Sequence, residues 1–224
     1  MRPPIAVTLL LLAACHSAPA PTVAEGQGKG LIAFDPAPPQ GAKVWPQVEW
    51  HKGDRYILVR GGQEKMLFTV SEVSDQGYVL VDGAGNQYLR GKDLANLGEK
   101  PRGAERLVHE LAPGDVRFHW PLWVGKRWRC HYLDKSADGT VLPIEAAYMV
   151  EGLDTIAVPG GTFEALRILR TSRLVLDGPD KFLDRDSVIW YAPAIGIEVR
   201  QLLDETRVEL LEWSAAKQKE QPQK

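Results

Sequence analysis

Three runs decide the fold class: Arg55-Tyr56-Ile57-Leu58-Val59, Met66-Leu67-Phe68-Thr69-Val70 and Tyr78-Val79-Leu80-Val81. Each is short and rich in β-branched or aromatic side chains, which suit a pleated, half-buried surface. Gly61-Gly62 and Asp75-Gln76-Gly77 separate them, and Asp82-Gly83-Ala84-Gly85-Asn86 follows; these residues accept turn geometry. The same rhythm continues through 116–122, 127–133, 146–150, 165–176, 187–191, 197–203 and 207–213. In Glu198-Val199-Arg200-Gln201-Leu202 and in 207–213, polar and apolar residues largely alternate, as a sheet with one wet face requires. Helical periodicity is confined to 92–97 and 104–111. The expected fold is mainly β: a strongly curved antiparallel sheet, barrel- or sandwich-like, with few short helical turns.

The N-terminus reads as an address. Arg2 precedes an apolar run from Ile5 to Ala14. That run is too short for a bilayer core of about 30 Å, so it predicts a signal peptide rather than a transmembrane span. Its end, Leu12-Ala13-Ala14-Cys15, resembles the lipobox of bacterial lipoproteins. The resemblance implies cleavage before Cys15, a diacylglyceryl group on its thiol and a palmitate-type acyl chain on its new amino group. Several acyl chains anchor a protein firmly where one holds it only marginally. His16 stands where an aspartate would resemble an inner-membrane retention signal, so the expected location is the outer membrane, facing the periplasm.

The organisation that follows is a signal peptide over 1–14, then a lipidated Cys15 and a flexible Pro/Gly-rich tether over 15–43. An antiparallel β-domain over 44–213 and a polar tail over 214–224 complete it. Within the tether, Leu31-Ile32-Ala33-Phe34 is an apolar knot able to add a strand or dock on the domain.

Charge and cysteine content narrow the function classes. Lys and Arg number 27 against 29 Asp and Glu, a net charge of −2, and loss of Arg2 on processing takes the mature chain to −3. No basic excess exists to hold a phosphate backbone, so nucleic acid is not an expected partner. With Cys15 acylated, Cys130 is the one thiol left, and in an oxidising compartment it is expected to be buried as a small apolar residue.

No catalytic, cofactor-binding or metal-binding residue is assigned. His51, His109, His119 and His131 form no H-E-x-x-H pattern, and the nearest approach to a metal set is His119, His131 and Asp134 on neighbouring strands. Asp177, Asp180, Asp184 and Asp186 lack the order of a calcium loop and read as a solvated loop. No G-x-S-x-G elbow is present. Trp120 and Trp123 flank Pro121-Leu122, where an exposed ring could meet a ligand or partner; packing in the interior is the competing role. Gly53-Asp54-Arg55-Tyr56 and Gly125-Lys126-Arg127-Trp128 share a Gly-x-Arg-aromatic pattern that could mark two similar β-halves.

Three segments carry a family resemblance: Trp120-Pro121-Leu122-Trp123-Val124-Gly125-Lys126-Arg127-Trp128, Val158-Pro159-Gly160-Gly161-Thr162-Phe163-Glu164-Ala165 and Trp190-Tyr191-Ala192-Pro193-Ala194-Ile195-Gly196. In this order they resemble the TapB-like lipoproteins and related periplasmic β-domains of unknown function. That resemblance implies a fold and supplies no catalytic residue. The expected function is a non-enzymatic binding or scaffolding module of the cell envelope, with the membrane as partner through Cys15 and an envelope protein or hydrophobic ligand as a possible second. The alternatives are a carrier or sensor of a hydrophobic ligand such as lipid in a β-lined cavity, and an envelope hydrolase. Cys15→Ser is expected to abolish acyl labelling and release the protein from its normal membrane fraction; unchanged labelling and fractionation would contradict the anchor.

Overall fold

The computed structural model describes residues 22–23, 31–33, 37–176 and 182–216. Cys15, the signal peptide, and Asp177 and Asp180 of the acidic loop lie outside the described residues. The first two strands are short, β1 (Thr22–Val23) and β2 (Leu31–Ala33). Six follow as a meander: β3 (Arg55–Arg60), β4 (Glu64–Ser74), β5 (Gly77–Asp82), β6 (Gln87–Gly91), β7 (Asn96–Lys100) and β8 (His109–Asp115). Six more complete the chain: β9 (Arg127–Ser136), β10 (Val141–Val158), β11 (Gly161–Val175), β12 (Phe182–Ala192), β13 (Ile197–Leu203) and β14 (Thr206–Ser214).

Every pairing is antiparallel, and β14 pairs with β3 while β8 pairs with β9. These two seams close β3–β14 into a barrel of twelve strands, which leaves no open sheet edge around its circumference. Of the two outcomes the sequence allowed, barrel or sandwich, closure selects the barrel. The apolar knot of the tether does add a strand, with β2 pairing to β9 through Leu31↔Cys130 and Ala33↔Trp128.

The expected helical turns are corrected. No helix is present among the described residues. Residues 92–95 form the tight β6–β7 connection, and 96–97 already belong to β7. Residues 104–108 are irregular, and 109–111 open β8. The apolar spacing that looked helical comes from side chains entering the core at the ends of short strands, as Leu94, Ala95 and Leu97 do.

The two halves of the barrel are built alike. Gly53 and Gly125, both at positive φ (97° and 95°), precede the first strand of each. Gly53 N–H donates to Val70 O and Val70 N–H to Asp54 O, both at 2.8 Å. Gly125 N–H donates to Val150 O at 2.7 Å, and Val150 N–H to Lys126 O at 2.9 Å. Each second strand then carries a bulge immediately after that valine, between Val70 and Glu72 and between Val150 and Gly152. The Gly-x-Arg-aromatic echo therefore marks equivalent strand starts.

One end of the barrel is closed by the segments leading into those starts. Trp50 reaches across to the β12–β13 turn, where its Nε1 donates to Gly196 O at 2.9 Å. Trp120 reaches to the β6–β7 turn, where its Nε1 donates to Asp93 O at 2.9 Å. Each half thus caps a turn of the other. Phe118 and Trp120 pack on Tyr191, with ring centroids 4.9 and 5.4 Å away. Above them Trp128 stacks on Tyr148 at 5.1 Å and 7°. Val70, Leu80, Leu122, Val150, Leu166, Ile168 and Ile189 fill the space around the rings. A smaller cluster, including Ile156, Ala165, Val199 and Leu210, forms where the long β10–β11 hairpin folds toward β13 and β14. Gly160 N–H donates to Leu210 O there at 2.8 Å.

Candidate functional site

The other end of the barrel is not filled. Here residues of strands β7 to β13, with Arg117, line a cavity of about 390 Å³. That volume falls within the usual range for small-molecule sites, roughly 300–1,000 Å³. Twelve strands enclose more space than one shell of inward side chains occupies, since about eight already suffice for a filled interior.

The lining follows from strand alternation. Going inward along β11, the cavity is faced by Leu174, Ser172 and Arg170; along β12, by Leu183, Arg185 and Ser187; along β13, by Leu203 and Gln201. Leu142 and Ile144 of β10 complete the apolar mouth. Below Arg170 and Ser187 the same inward rows continue as Ile168 and Ile189, both fully buried in the core. A polar belt therefore lies between an apolar mouth and an apolar floor.

Arg170 organises this belt. Its Nε donates to Tyr148 Oη at 2.9 Å, one terminal nitrogen to Ser172 Oγ at 2.8 Å, and the other to Tyr132 Oη at 3.0 Å and Asp115 at 3.4 Å. Tyr148 Oη donates to Asp115, and Cys130 Sγ lies 3.8 Å from the same carboxylate. The side chains of Arg170 and Asp115 are 14% and 6% exposed, so solvent screens the pair little. Burial opposes the charge on Arg170, but Tyr148, Asp115 and Tyr132 outweigh it and hold its pKa above the ordinary value. Burial, and then Asp115, pushes the Cys130 thiol well up, so the residue is a buried thiol rather than a thiolate.

Other charges around the interior are paired in part. Arg117 binds Glu198 at 3.1 Å, and Asp134 lies 3.2 Å from His109 Nδ1. Among the described residues, Arg185 has no acidic partner. Ser187 Oγ and Asn96 Oδ1, both on the cavity lining, are buried with no hydrogen-bond partner. Buried polar atoms are normally paired, so these two are hydrogen-bonding groups at the inner border of the cavity that the protein itself leaves unsatisfied. A second cavity of about 220 Å³, lined by Tyr56, Phe68, Tyr88, Arg90 and Glu198, shares Arg117 and Gln201 with the first. Burial holds the pKa of Arg90 down, with Tyr56 opposing that shift.

The residues singled out in the sequence are distributed differently. His131 is exposed on the outer side of β9 in a groove with Pro113, Glu145 and Val175, whereas Asp134 lines the interior. His119 sits at the closed end with its Nδ1 buried, its pKa pushed down to about 4 by burial and by Lys126. The three are not brought together, and no group of three or more metal-type ligands forms among the described residues. Trp123 is 2% exposed and Trp120 is held by its bond to Asp93, so neither offers a free ring. Tyr191 faces the core and Trp190 the opposite side, where its Nε1 donates to Asp154 at 2.9 Å.

The alternation in 198–202 needs a correction of sense. A bulge between the pairs Trp190↔Arg200 and Tyr191↔Glu198 interrupts it: Glu198 and Gln201 line the interior, while Arg200 stays on the outer side over the Trp190 ring. Arg170 is concealed in the sequence in a similar way: between Arg167 and Arg173 it reads as one more surface charge. The signal that could have found it is parity with Leu166 and Ile168.

No protein-family profile and no curated protein matches this chain. Among solved structures, the hypothetical lipoprotein YmcC from Escherichia coli matches at 10% identity and a TM-score of 0.48, over 75% of this chain and 90% of that one. A provisionally named lipoprotein from Parabacteroides distasonis matches at 14% identity and 0.43, over 76% and 97%. A provisionally named exported protein with a YmcC-like fold from Bacteroides fragilis matches at 11% and 0.40, over 76% and 99%. None of these three carries the TapB-like name.

Removal of Asp115 leaves the Arg170 charge buried without its counter-charge, a change that typically costs about 3–5 kcal/mol. Asp115→Ala is expected to lower unfolding stability by about that much in urea titrations, and a loss under ~1 kcal/mol would contradict the role assigned to the pair.

Proposed function

We propose that this chain is a bacterial envelope lipoprotein, anchored through Cys15 in the outer membrane on its periplasmic side, whose barrel is a non-enzymatic module for binding a small molecule. The cavity at the open end carries the reading. It is of ligand size, its polar belt is fixed by the bonds of Arg170, and two residues on its lining, Ser187 and Asn96, carry side-chain oxygens without partners. The envelope location rests on the run from Ile5 to Ala14, the Leu12-Ala13-Ala14-Cys15 motif and His16.

A carrier of a wholly apolar lipid fits less well. Leu142, Leu174, Leu183 and Leu203 would receive an alkyl chain, but the belt beneath them would lose hydration to it without gaining hydrogen bonds. A scaffolding role draws support from Val141, Val175, Leu176 and Phe182, all substantially exposed around the same mouth. A hydrolase reading finds no support in the placement of His119 and His131.

Gln201 lines both cavities and is partly exposed, so Gln201→Trp narrows the interior while leaving the buried charge network in place. Protein isolated from native membranes and then denatured should release a small molecule in stoichiometric amount, and the variant, at unchanged far-UV circular dichroism, should release little. Equal release from both proteins, or none from the wild type, would overturn the proposal.

A further inference from the structure

The charge and polarity of the cavity narrow what it can hold. Three arginines face it, Arg117, Arg170 and Arg185, against two acids, Asp115 and Asp134. Arg170 is committed to Asp115, Tyr148, Tyr132 and Ser172, and Arg117 to Glu198. Asp134 has His109 beside it. Arg185 is the cation that no acidic side chain among the described residues offsets. On the same inward row of β12, one position deeper, stands Ser187, 4% exposed and with an Oγ that has no partner. One position shallower stands Leu183, which is 44% exposed at the mouth.

A guanidinium and a hydroxyl on adjacent inward positions form a donor pair suited to a single anionic oxygen group, because charge-assisted hydrogen bonds are roughly twice as strong as neutral ones. The leucines at the ends of β11, β12 and β13 surround the space outside that pair and suit an apolar body. We propose that the cavity takes a small amphiphile with one anionic head, a carboxylate being the simplest, held by Arg185 and Ser187 with its apolar body against Leu174, Leu183 and Leu203. The assignment rests on the ligand-binding reading of the barrel and adds the chemical class of the ligand. Water already present around Arg185 is displaced by the head group, while the polar atom of Ser187 gains a partner. The apolar body covers leucine surface that otherwise faces solvent.

The test compares three eight-carbon probes: octanoate, octanol and octyltrimethylammonium. The mature acylated protein is held in phosphatidylcholine nanodiscs, and empty nanodiscs serve as the blank. Octanoate is expected to bind saturably and at least ~10-fold more tightly than the neutral or cationic probe, the size of effect one charge-assisted hydrogen bond supplies. Arg185→Gln, at a position with no ion pair among the described residues, should weaken octanoate about 10-fold, and Arg185→Lys should restore part of that loss. Equal affinity for the three probes, abolished by Gln201→Trp, would overturn the anionic head while leaving the cavity as the binding site. An octanoate affinity that neither Arg185→Gln nor Gln201→Trp changes would overturn both.

Discussion

The ion pair between Arg170 and Asp115 is the constraint around which the interior is arranged. Arg170 comes from β11 and Asp115 from the end of β8, and the side chains that complete their hydrogen bonds, Tyr132 and Tyr148, come from β9 and β10. One buried cluster therefore ties four strands together across a closing seam, that between β8 and β9. A buried charge is tolerated only when it is paired and bonded on most sides. Meeting that requirement fixes the positions of two phenol rings and a serine. It also keeps this level of the barrel polar, so the hydrophobic packing of Trp128, Ile168 and Ile189 stops there.

The remainder of the architecture supplies a base for that cluster. Twelve strands make a barrel too wide to be filled by one shell of side chains. The closed end solves this with chain rather than with larger residues: the segments before β3 and β9 fold in, and Trp50 and Trp120 cap turns of the opposite half. The open end has no such insertion among the described residues, and its polar belt and ring of leucines remain accessible. An asymmetric vessel results from two halves that start alike, because Asp115 of the first half and Arg170 of the second meet across the β8–β9 seam.

Much of this was legible in the sequence, for physical reasons that also explain what was not. Strands β3, β4 and β5 announce themselves because β-branched runs and glycine turns act locally. Burial of Cys130 followed from compartment chemistry and is met by its 1% exposure. The matched strand starts at Gly53 and Gly125 were visible as a pattern, though only the hydrogen bonds to Val70 and Val150 show that they are equivalent. The cavity was hidden by the rule that polar means outward. In a small sandwich that rule holds, but in a wide barrel Glu198, Gln201, Arg170 and Arg185 can face inward. Register decides between those cases, and register is set by long-range pairing such as Arg170↔Ser187 that no local window contains. The expected turns of helix at 92–97 and 104–111 failed likewise, since short strands with inward ends imitate helical spacing.

The central claim is that a small anionic amphiphile occupies the open end of a closed barrel. A crystal structure of the mature protein grown with 8-bromooctanoate, recorded at the bromine absorption edge, tests it most directly. The account predicts an anomalous peak at the mouth near Leu174, Leu183 and Leu203, with carboxylate density against Arg185 and Ser187. A bromine peak confined to the outer groove beside His131, or an interior containing only solvent at saturating probe, would contradict it.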